Sequence, residues 1–310
     1  MKICNTTGAY DFFHIPQLER LGLLERAGYR NIDVSFYREG RLDSVFMQDH
    51  WTEYADAMKR YGEEHGLSFV QAHCPMGNPL TMDDKRELLL ASTIRSLEVC
   101  GRLGIKNAVF HHGWALGIGK DEFTQRNLEF LQQLIPTLEA TGVTLCYENL
   151  IHRPNVERVI LSSADDILEY LACAGHPLVQ ACWDTGHGGL SVDSQYDNIV
   201  KLGSHLRAVH IHDNRGEIDE HILPYMGVVN WDEIMHALLD ISFPGYFTLE
   251  ASSVVRFGDG SLYTNARYLR KSYEKDTRAL NPTVDMQVAV QSFGYTIAKQ
   301  ILTAYNCFED

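Results

Sequence analysis

Basic side chains are in the minority in this chain, where 27 Lys and Arg stand against 41 Asp and Glu, a formal net charge of −14. Nucleic-acid binding depends on clustered Lys and Arg that neutralise phosphates, so this balance argues against a general nucleic-acid surface. The longest apolar runs fall short of the ~18 residues that a membrane helix needs. The first residues, MKICNTTGAYDFF, reach Asp11 without the apolar core of a signal peptide. We therefore expect a cytoplasmic protein that does not bind membranes.

Cysteines number seven, and no two of them form a Cys-x-x-Cys pair. An odd number without such pairs is typical of reduced, buried thiols in a reducing compartment. Cys74, Cys146 and Cys182 fall near predicted strand ends, where core packing is favoured over a role as soft metal ligands.

A repeating pattern of short apolar and longer amphipathic segments runs along the chain. Eight segments rich in β-branched and aromatic residues predict strands: Met1–Thr7, Asn31–Phe36, Leu67–Cys74, Asn107–Gly113, Val143–Leu150, Val179–His187, Leu206–Asp213 and Tyr246–Ser252. Segments with helical periodicity follow them: His14–Ala27, Asp49–Glu64, Asp83–Leu103, Thr124–Ala140, Ala164–Ala174, Gln195–Leu202, Trp231–Leu239 and Leu262–Asp276. Eight such units, with no Gly-x-Gly-x-x-Gly opening the first helix, predict a single α/β domain, a (β/α)8 TIM barrel, rather than a doubly wound sheet.

The last thirty residues contain one more amphipathic segment, Val284–Ala304. We expect the barrel to span residues 1–280 and residues 281–310 to form a C-terminal helical extension packed on it. Docking of this helix on a partner is the alternative, and homo-oligomer formation is left open.

Titratable side chains concentrate where the predicted strands end, which is where TIM-barrel enzymes place their active sites. At the strand ends these are His73, His111, His112, Glu148, Asp184, His187, His210, His212 and Glu250. The loop after the seventh strand adds Asp219 and His221. Strand alternation directs His210 inward with Val209 facing outward, and it turns His112 away from the side that His111 faces.

Buried carboxylates without basic partners are costly unless a cation compensates them. Glu148, Asp184 and Glu250 at one barrel mouth therefore predict a divalent metal. Imidazole and carboxylate ligands together favour Zn²⁺ or Mn²⁺, with Co²⁺, Fe²⁺ and Mg²⁺ as alternatives, over Ca²⁺.

Four motifs, CYENL, CWDTGH, VHIHDN…DEH…G…W and TLEAS, occur in this order. As a set they resemble the xylose-isomerase-like TIM barrel superfamily, which includes the sugar-phosphate isomerase/epimerase group, the ketose 3-epimerases and endonuclease IV. The resemblance spans roughly residues 1–275 and is specific for the superfamily but not for a substrate.

The resemblance implies a ligand set and roles. The ketose-epimerase pattern implies one metal held by Glu148, Asp184, His210 and Glu250, with Glu148 and Glu250 as the catalytic acid/base pair and His187 as a substrate contact. The endonuclease IV pattern adds five candidate ligands, His73, His111, His187, Asp219 and His221, for up to three ions. This sequence departs from that pattern with HHG at His111–Gly113, DTGH at Asp184–His187 and MGVVNW in place of a Gly-Glu-Gly stretch.

Three functions follow from these patterns. The preferred one is a metal-dependent isomerase or epimerase that abstracts a proton beside the carbonyl of a sugar, sugar phosphate or related polyol; a dehydratase is a close variant. The second is a trinuclear zinc phosphodiesterase of the endonuclease IV type, which the net acidity disfavours. The third is a non-enzymatic metal- or sugar-binding barrel.

Further side chains are candidate contacts for a carbohydrate substrate: His73, His187, His212, Arg215 and Trp114. Arg215 and Arg256 follow the last two strands, where TIM barrels often bind phosphate. The sequence leaves open whether the substrate is phosphorylated.

Overall fold

The computed structural model describes residues 1–152, 158–254 and 282–310. Eight strands form one parallel sheet in the order β7-β6-β5-β4-β3-β2-β1-β8. They are β1 Ile3–Thr6, β2 Asn31–Ser35, β3 Ser68–His73, β4 Asn107–Phe110, β5 Thr144–Glu148, β6 Val179–Asp184, β7 Leu206–His210 and β8 Phe247–Leu249. Just beyond β7, the backbone of Ile211 donates to Thr248 O at 2.8 Å and accepts from Glu250 N at 3.0 Å, which closes the ring. The predicted TIM barrel is confirmed.

Helices separate the strands. The described helices are α1 Gln17–Arg26, α2 Trp51–His65, α3 Asp84–Leu103, α4 Lys120–Thr141, α5 Ala164–Ala174, α6 Thr185–Ser191, α7 Gln195–Leu202, α8 Trp231–Asp240 and α9 Val284–Ala304. Local signals set their ends: Ser163 and Asp166 form a capping box at α5, and Gly175 ends that helix at φ 57°. The predicted helix Leu262–Asp276 lies outside the described residues.

The sixth strand is shorter than predicted, because its last motif is helical. Val179–His187 was expected to be extended, but the strand ends at Asp184 and α6 begins at Thr185. The Asp184 side chain accepts a hydrogen bond from His187 N at 2.7 Å and so acts as the N-cap of α6. This turn moves His187 off the strand and onto the first turn of a helix.

The barrel interior has an apolar and a polar half. Beneath the mouth, β4 to β7 contribute Val109, Cys146, Cys182 and Ala208, which pack together. On the other side, the inward positions of β1, β2, β3 and β8 are Cys4, Asp33, Gln71 and Thr248, all buried. The seven cysteines are free, and burial raises the pKa of Cys74 to about 12, so this thiol is neutral.

Helix α9 covers the outside of β1 and β8. Its Gln291 bridges the barrel, accepting from Asn5 Nδ2 at 2.8 Å and donating to Ala251 O at 3.1 Å. At its end, Tyr305 hydrogen-bonds Asp232 of α8. The division into a barrel and an extension at residue 280 stays a prediction, because residues 255–281 lie outside the described part. Among the described helices, none is both long and apolar enough to cross a membrane.

Candidate metal centre

Four side chains meet at the carboxyl-terminal mouth of the barrel: Glu148, Asp184, His210 and Glu250, here called the strand cluster. Each offers one ligand atom, and these atoms lie within 4.8 Å of one another. His210 Nδ1 lies 3.1 Å from Glu148 Oε1 and 3.4 Å from Glu250 Oε2. Parallel strands bring their carboxyl ends to one edge of the barrel, so residues far apart in sequence converge there.

The strand cluster places several titratable side chains together in the interior of the barrel mouth. Burial alone would raise the pKa of Glu148, but His210 and His111 outweigh it and hold that pKa well below its usual range. Burial lowers the pKa of His210, whereas Glu250 and Glu148 raise it, to a net value of about 10. The Glu148 carboxylate and the His210 imidazole therefore favour their charged forms in the absence of another cation.

The donor set fits a divalent cation. No Lys or Arg within the described ranges forms an ion pair with Glu148, Asp184 or Glu250, whose charged partners are all histidines. Three carboxylates and one imidazole, with ligand atoms within 4.8 Å of one another, are residue types that Zn²⁺ and Mn²⁺ accept as ligands. A bound cation would take over the charge compensation that protonated histidines otherwise supply.

The second carboxylate oxygen of Glu148 lies close to two further histidines. Glu148 Oε2 lies 2.9 Å from His111 Nε2 and 3.6 Å from His73 Nε2. The two Nε2 atoms are themselves 3.3 Å apart. Glu148 thus directs one oxygen to the strand cluster and the other to this histidine pair, so the same carboxylate would offer a ligand atom on each side.

Four more side chains gather above the strand cluster: His187, His212, Asp219 and His221, here called the loop cluster. Asp219 Oδ2 lies 3.2 Å from His187 Nε2 and 3.1 Å from His221 Nε2. The rings of His212 and His221 stack with centroids 3.9 Å apart. His212 also links the two clusters, since its Nε2 lies 2.9 Å from Asp184 Oδ2.

The loop that carries Asp219 and His221 is organised by Asp213. The carboxylate of Asp213 accepts hydrogen bonds from Gly227 N at 3.1 Å and from Val229 N at 3.0 Å. His221 is held in the left-handed region at φ 49°, and its Nδ1 lies 2.9 Å from Glu250 O. Asp219 and His221, the two members of the loop cluster that lie in this loop, are therefore held on a defined turn.

Some predicted site residues lie elsewhere. Arg215 pairs with Glu220 through its side chain and, at 2.8 Å, its backbone N–H. It does not line the cavity. His112 points away from His111: its Nε2 accepts from Leu161 N at 3.0 Å, and burial lowers its pKa to about 4. Arg256 lies outside the described residues.

A cavity of about 300 Å³ opens above the clusters and includes Trp114 on its wall. Phe12 and Tyr37 add aromatic surface, and Arg38 stacks over Phe12 with its guanidinium carbon 4.7 Å from the ring centre. The volume is that of a small-ligand site. Phe12, Tyr37 and Arg38 were not predicted, because they follow strand ends that carry no histidine.

Asp33 is a buried acidic residue that sequence analysis missed. It lies on β2 with no exposed surface. Burial raises the pKa of Asp33 to about 6, against the opposing effects of His210 and His73. The signal was present, because a carboxylate within the apolar segment NIDVSF demands a partner.

Known proteins resemble this chain in sequence and fold. The D-psicose 3-epimerase of Ruminiclostridium cellulolyticum is 30% identical over 47% of this chain and 46% of that protein. A probable endonuclease 4 of Thermotoga maritima is 26% identical over 49% of this chain and 52% of that protein. The chain thus spans about half the length of these curated relatives.

A solved structure extends the likeness to the whole fold. The crystal structure of D-psicose 3-epimerase with D-tagatose from Clostridium cellulolyticum H10 superposes with a TM-score of 0.73 and 19% identity, covering 97% of this chain and 99% of that one. The family model described as xylose isomerase-like TIM barrel matches residues 21–272. With eight parallel strands whose ends carry the family's motifs, the chain belongs to the xylose isomerase-like TIM barrel family.

Proposed function

We propose that this protein is a divalent-metal-dependent isomerase or epimerase that acts on a sugar, sugar phosphate or related polyol. The observation that carries the proposal is the approach of Glu148 and Glu250, which both line the cavity, to the same ring nitrogen of His210, at 3.1 and 3.4 Å. Two carboxylates beside one cation site are what proton abstraction and return next to a carbonyl require.

A divalent cation held by the strand cluster would polarise the substrate carbonyl and stabilise the negative charge of an enediolate. Of the two glutamates, one removes the proton beside the carbonyl and the other returns a proton on the opposite face or at the neighbouring carbon. The side chain of Glu250 is 18% exposed and that of Glu148 only 1%. Glu250 is therefore the better placed of the two to exchange its proton with solvent.

The walls of the cavity suit a carbohydrate. Trp114 and Tyr37 offer apolar ring surface to carbon–hydrogen faces, while His187 and Asp219 offer polar atoms for hydroxyl groups. The likeness to a D-psicose 3-epimerase supports the same substrate class. Isomerase, epimerase and dehydratase chemistry share the first proton transfer.

The decisive experiment follows exchange of the substrate proton. The metal-loaded protein is incubated in deuterated water with a panel of ketoses that includes D-psicose, and incorporation at the carbons beside the carbonyl is measured by NMR. We expect incorporation with at least one ketose, and about a thousandfold slower exchange for Glu250→Gln. The control is Glu233→Gln, a carboxylate that caps α7 away from the cavity. Full exchange by Glu250→Gln would refute the assignment.

A trinuclear zinc phosphodiesterase is the second candidate function. One observation favours it: Glu148 presents its second oxygen to His73 and His111, and the loop cluster supplies a further ligand set. The formal net charge of −14 opposes it, because a DNA-binding rim requires basic residues.

Metal content separates the two functions. The purified full chain is loaded with Zn²⁺, freed of excess metal and analysed for ions per chain. One ion supports the isomerase, whereas three ions together with cleavage of abasic-site DNA would establish the phosphodiesterase in its place.

A further inference from the structure

A group of polar atoms lies beneath the strand cluster without hydrogen-bond partners among the described residues. They are Asp33 Oδ1 and Oδ2, Gln71 Nε2 and His210 Nε2, all buried. Asp33 and Gln71 are register partners on β2 and β3. The Thr6 hydroxyl lies beside Asp33 but outside hydrogen-bond geometry. Since buried polar groups are normally paired, this group requires an explanation.

The two ring nitrogens of His210 face different groups of side chains. Nδ1 faces Glu148 and Glu250, and Nε2 faces Asp33, with Oδ2 at 4.0 Å. A neutral imidazole that gives its Nδ1 lone pair to a cation must carry its proton on Nε2. That N–H then needs an acceptor inside the barrel, and Asp33 Oδ2 faces it.

The group balances donors against acceptors. Gln71 Nε2 and His210 Nε2–H are donors, and the two oxygens of Asp33 are acceptors. The gap of 4.0 Å exceeds an ordinary charge-assisted hydrogen bond by about 1 Å. A small shift of the side chains closes it, or one buried water shared with Gln71 spans it.

We propose that Asp33 is a positioning residue, which accepts the Nε2 proton of His210, directly or through one water, and so holds the Nδ1 lone pair toward the strand cluster. A carboxylate behind a ligating histidine fixes the ring orientation and raises its basicity. Asp33 does not line the cavity, so it acts through His210. The inference rests on the proposed function in one respect, that the strand cluster binds a divalent cation.

The test measures metal affinity and the stability of the metal-free protein together. The full-length protein is stripped with a chelator, and the Kd for Zn²⁺ is measured by competition with a chromogenic chelator. We expect Asp33→Asn to weaken Zn²⁺ binding 10- to 100-fold. Its metal-free melting temperature should stay close to that of the wild type, because neither oxygen of Asp33 makes a hydrogen bond that the substitution would break.

Asp11→Asn is the matched control, because Asp11 is also a buried carboxylate but pairs with Arg20 and not with a site histidine. We expect it to lower the melting temperature and to leave the Kd within about threefold of the wild type. A residue of merely structural importance at position 33 would instead behave as Asp11 does, losing stability with metal affinity intact, and that result overturns the proposal.

Two further measurements keep the outcomes apart. In the Zn²⁺-loaded wild type, the Nε2 proton of His210 should give an exchange-protected imidazole resonance that is shifted or lost in Asp33→Asn. Asp33→Ser, smaller and neutral, replaces that variant if it fails to fold. Wild-type protein that binds no Zn²⁺ would overturn both this inference and the proposed function, whereas tight binding that Asp33→Asn leaves unchanged overturns this inference alone.

Discussion

The strand cluster and the loop cluster hold similar side chains in different ways. Glu148, Asp184 and His210 end three neighbouring strands, are almost wholly buried and are placed by the hydrogen bonds of the barrel. Asp219 and His221 have side chains 23% and 12% exposed on a loop that Asp213 organises. The sheet thus supplies a rigid site, and the loop adds a group whose position depends on local contacts. We expect the first to bind the cation and the second to select the substrate.

The largest effect should come from Glu148→Gln. Glu148 serves both the strand cluster and the histidine pair, so losing its charge weakens every contact there. We expect turnover to fall about thousandfold and the metal to dissociate on dialysis. Enzyme assays and metal analysis report the two losses. If the variant keeps its metal and its turnover, the strand cluster is not the rigid centre of the site.

The pH dependence of metal binding tests the strand cluster alone. Burial lowers the pKa of His210, but Glu250 and Glu148 raise it to a net value of about 10, so the metal-free imidazole is in its doubly protonated, charged form at neutral pH. Binding through Nδ1 must release the proton on that nitrogen, so the Kd for Zn²⁺ should fall about tenfold for each pH unit between 7 and 9. Competition titrations at fixed ionic strength give the slope. A Kd that does not change with pH would exclude His210 as a ligand.

Asp219→Asn probes the loop cluster. The substitution removes the charge that lies between His187 and His221 while the strand cluster stays intact. We expect KM to rise about tenfold with kcat nearly unchanged, and the tightest ion to be retained. Steady-state kinetics on the ketose found by deuterium exchange give both constants, and Asp193→Asn, an exposed carboxylate after α6, is the control. Loss of the tightest ion from the variant would place the main metal in the loop.

Arg215→Ala should have the smallest effect. Its side chain is 62% exposed and pairs with Glu220, outside the cavity. We expect kcat/KM within about threefold of the wild type, as for a surface ion pair. Arg38→Ala, which removes a cation from the cavity wall, is the matched comparison and should cost more. A lower kcat/KM for the Arg215 variant than for the Arg38 variant would support Arg215 as a substrate contact.

Strand periodicity made most of the fold predictable, because eight apolar segments alternate with amphipathic ones. Strand periodicity predicted the boundaries of elements less well where one residue has two structural roles. Asp184 ends β6 and also caps α6, so a segment expected to be extended turns into a helix that carries His187. Arg215 is predicted as a candidate substrate contact because it follows β7; the structure shows its side chain paired with Glu220, and its role towards the substrate stays a prediction.

The sequence by itself determined the barrel and the identity of the candidate ligands. The residues at each predicted strand end can be read from the sequence, and strand alternation predicts which of their side chains point into the barrel. Only the tertiary structure decided which of these side chains face one another. The contacts of Glu148 join β5 to β7 and to His111 just beyond β4, and the approach of Asp33 to His210 joins β2 to β7. Closure of the ring sets those distances, and no local pattern encodes them.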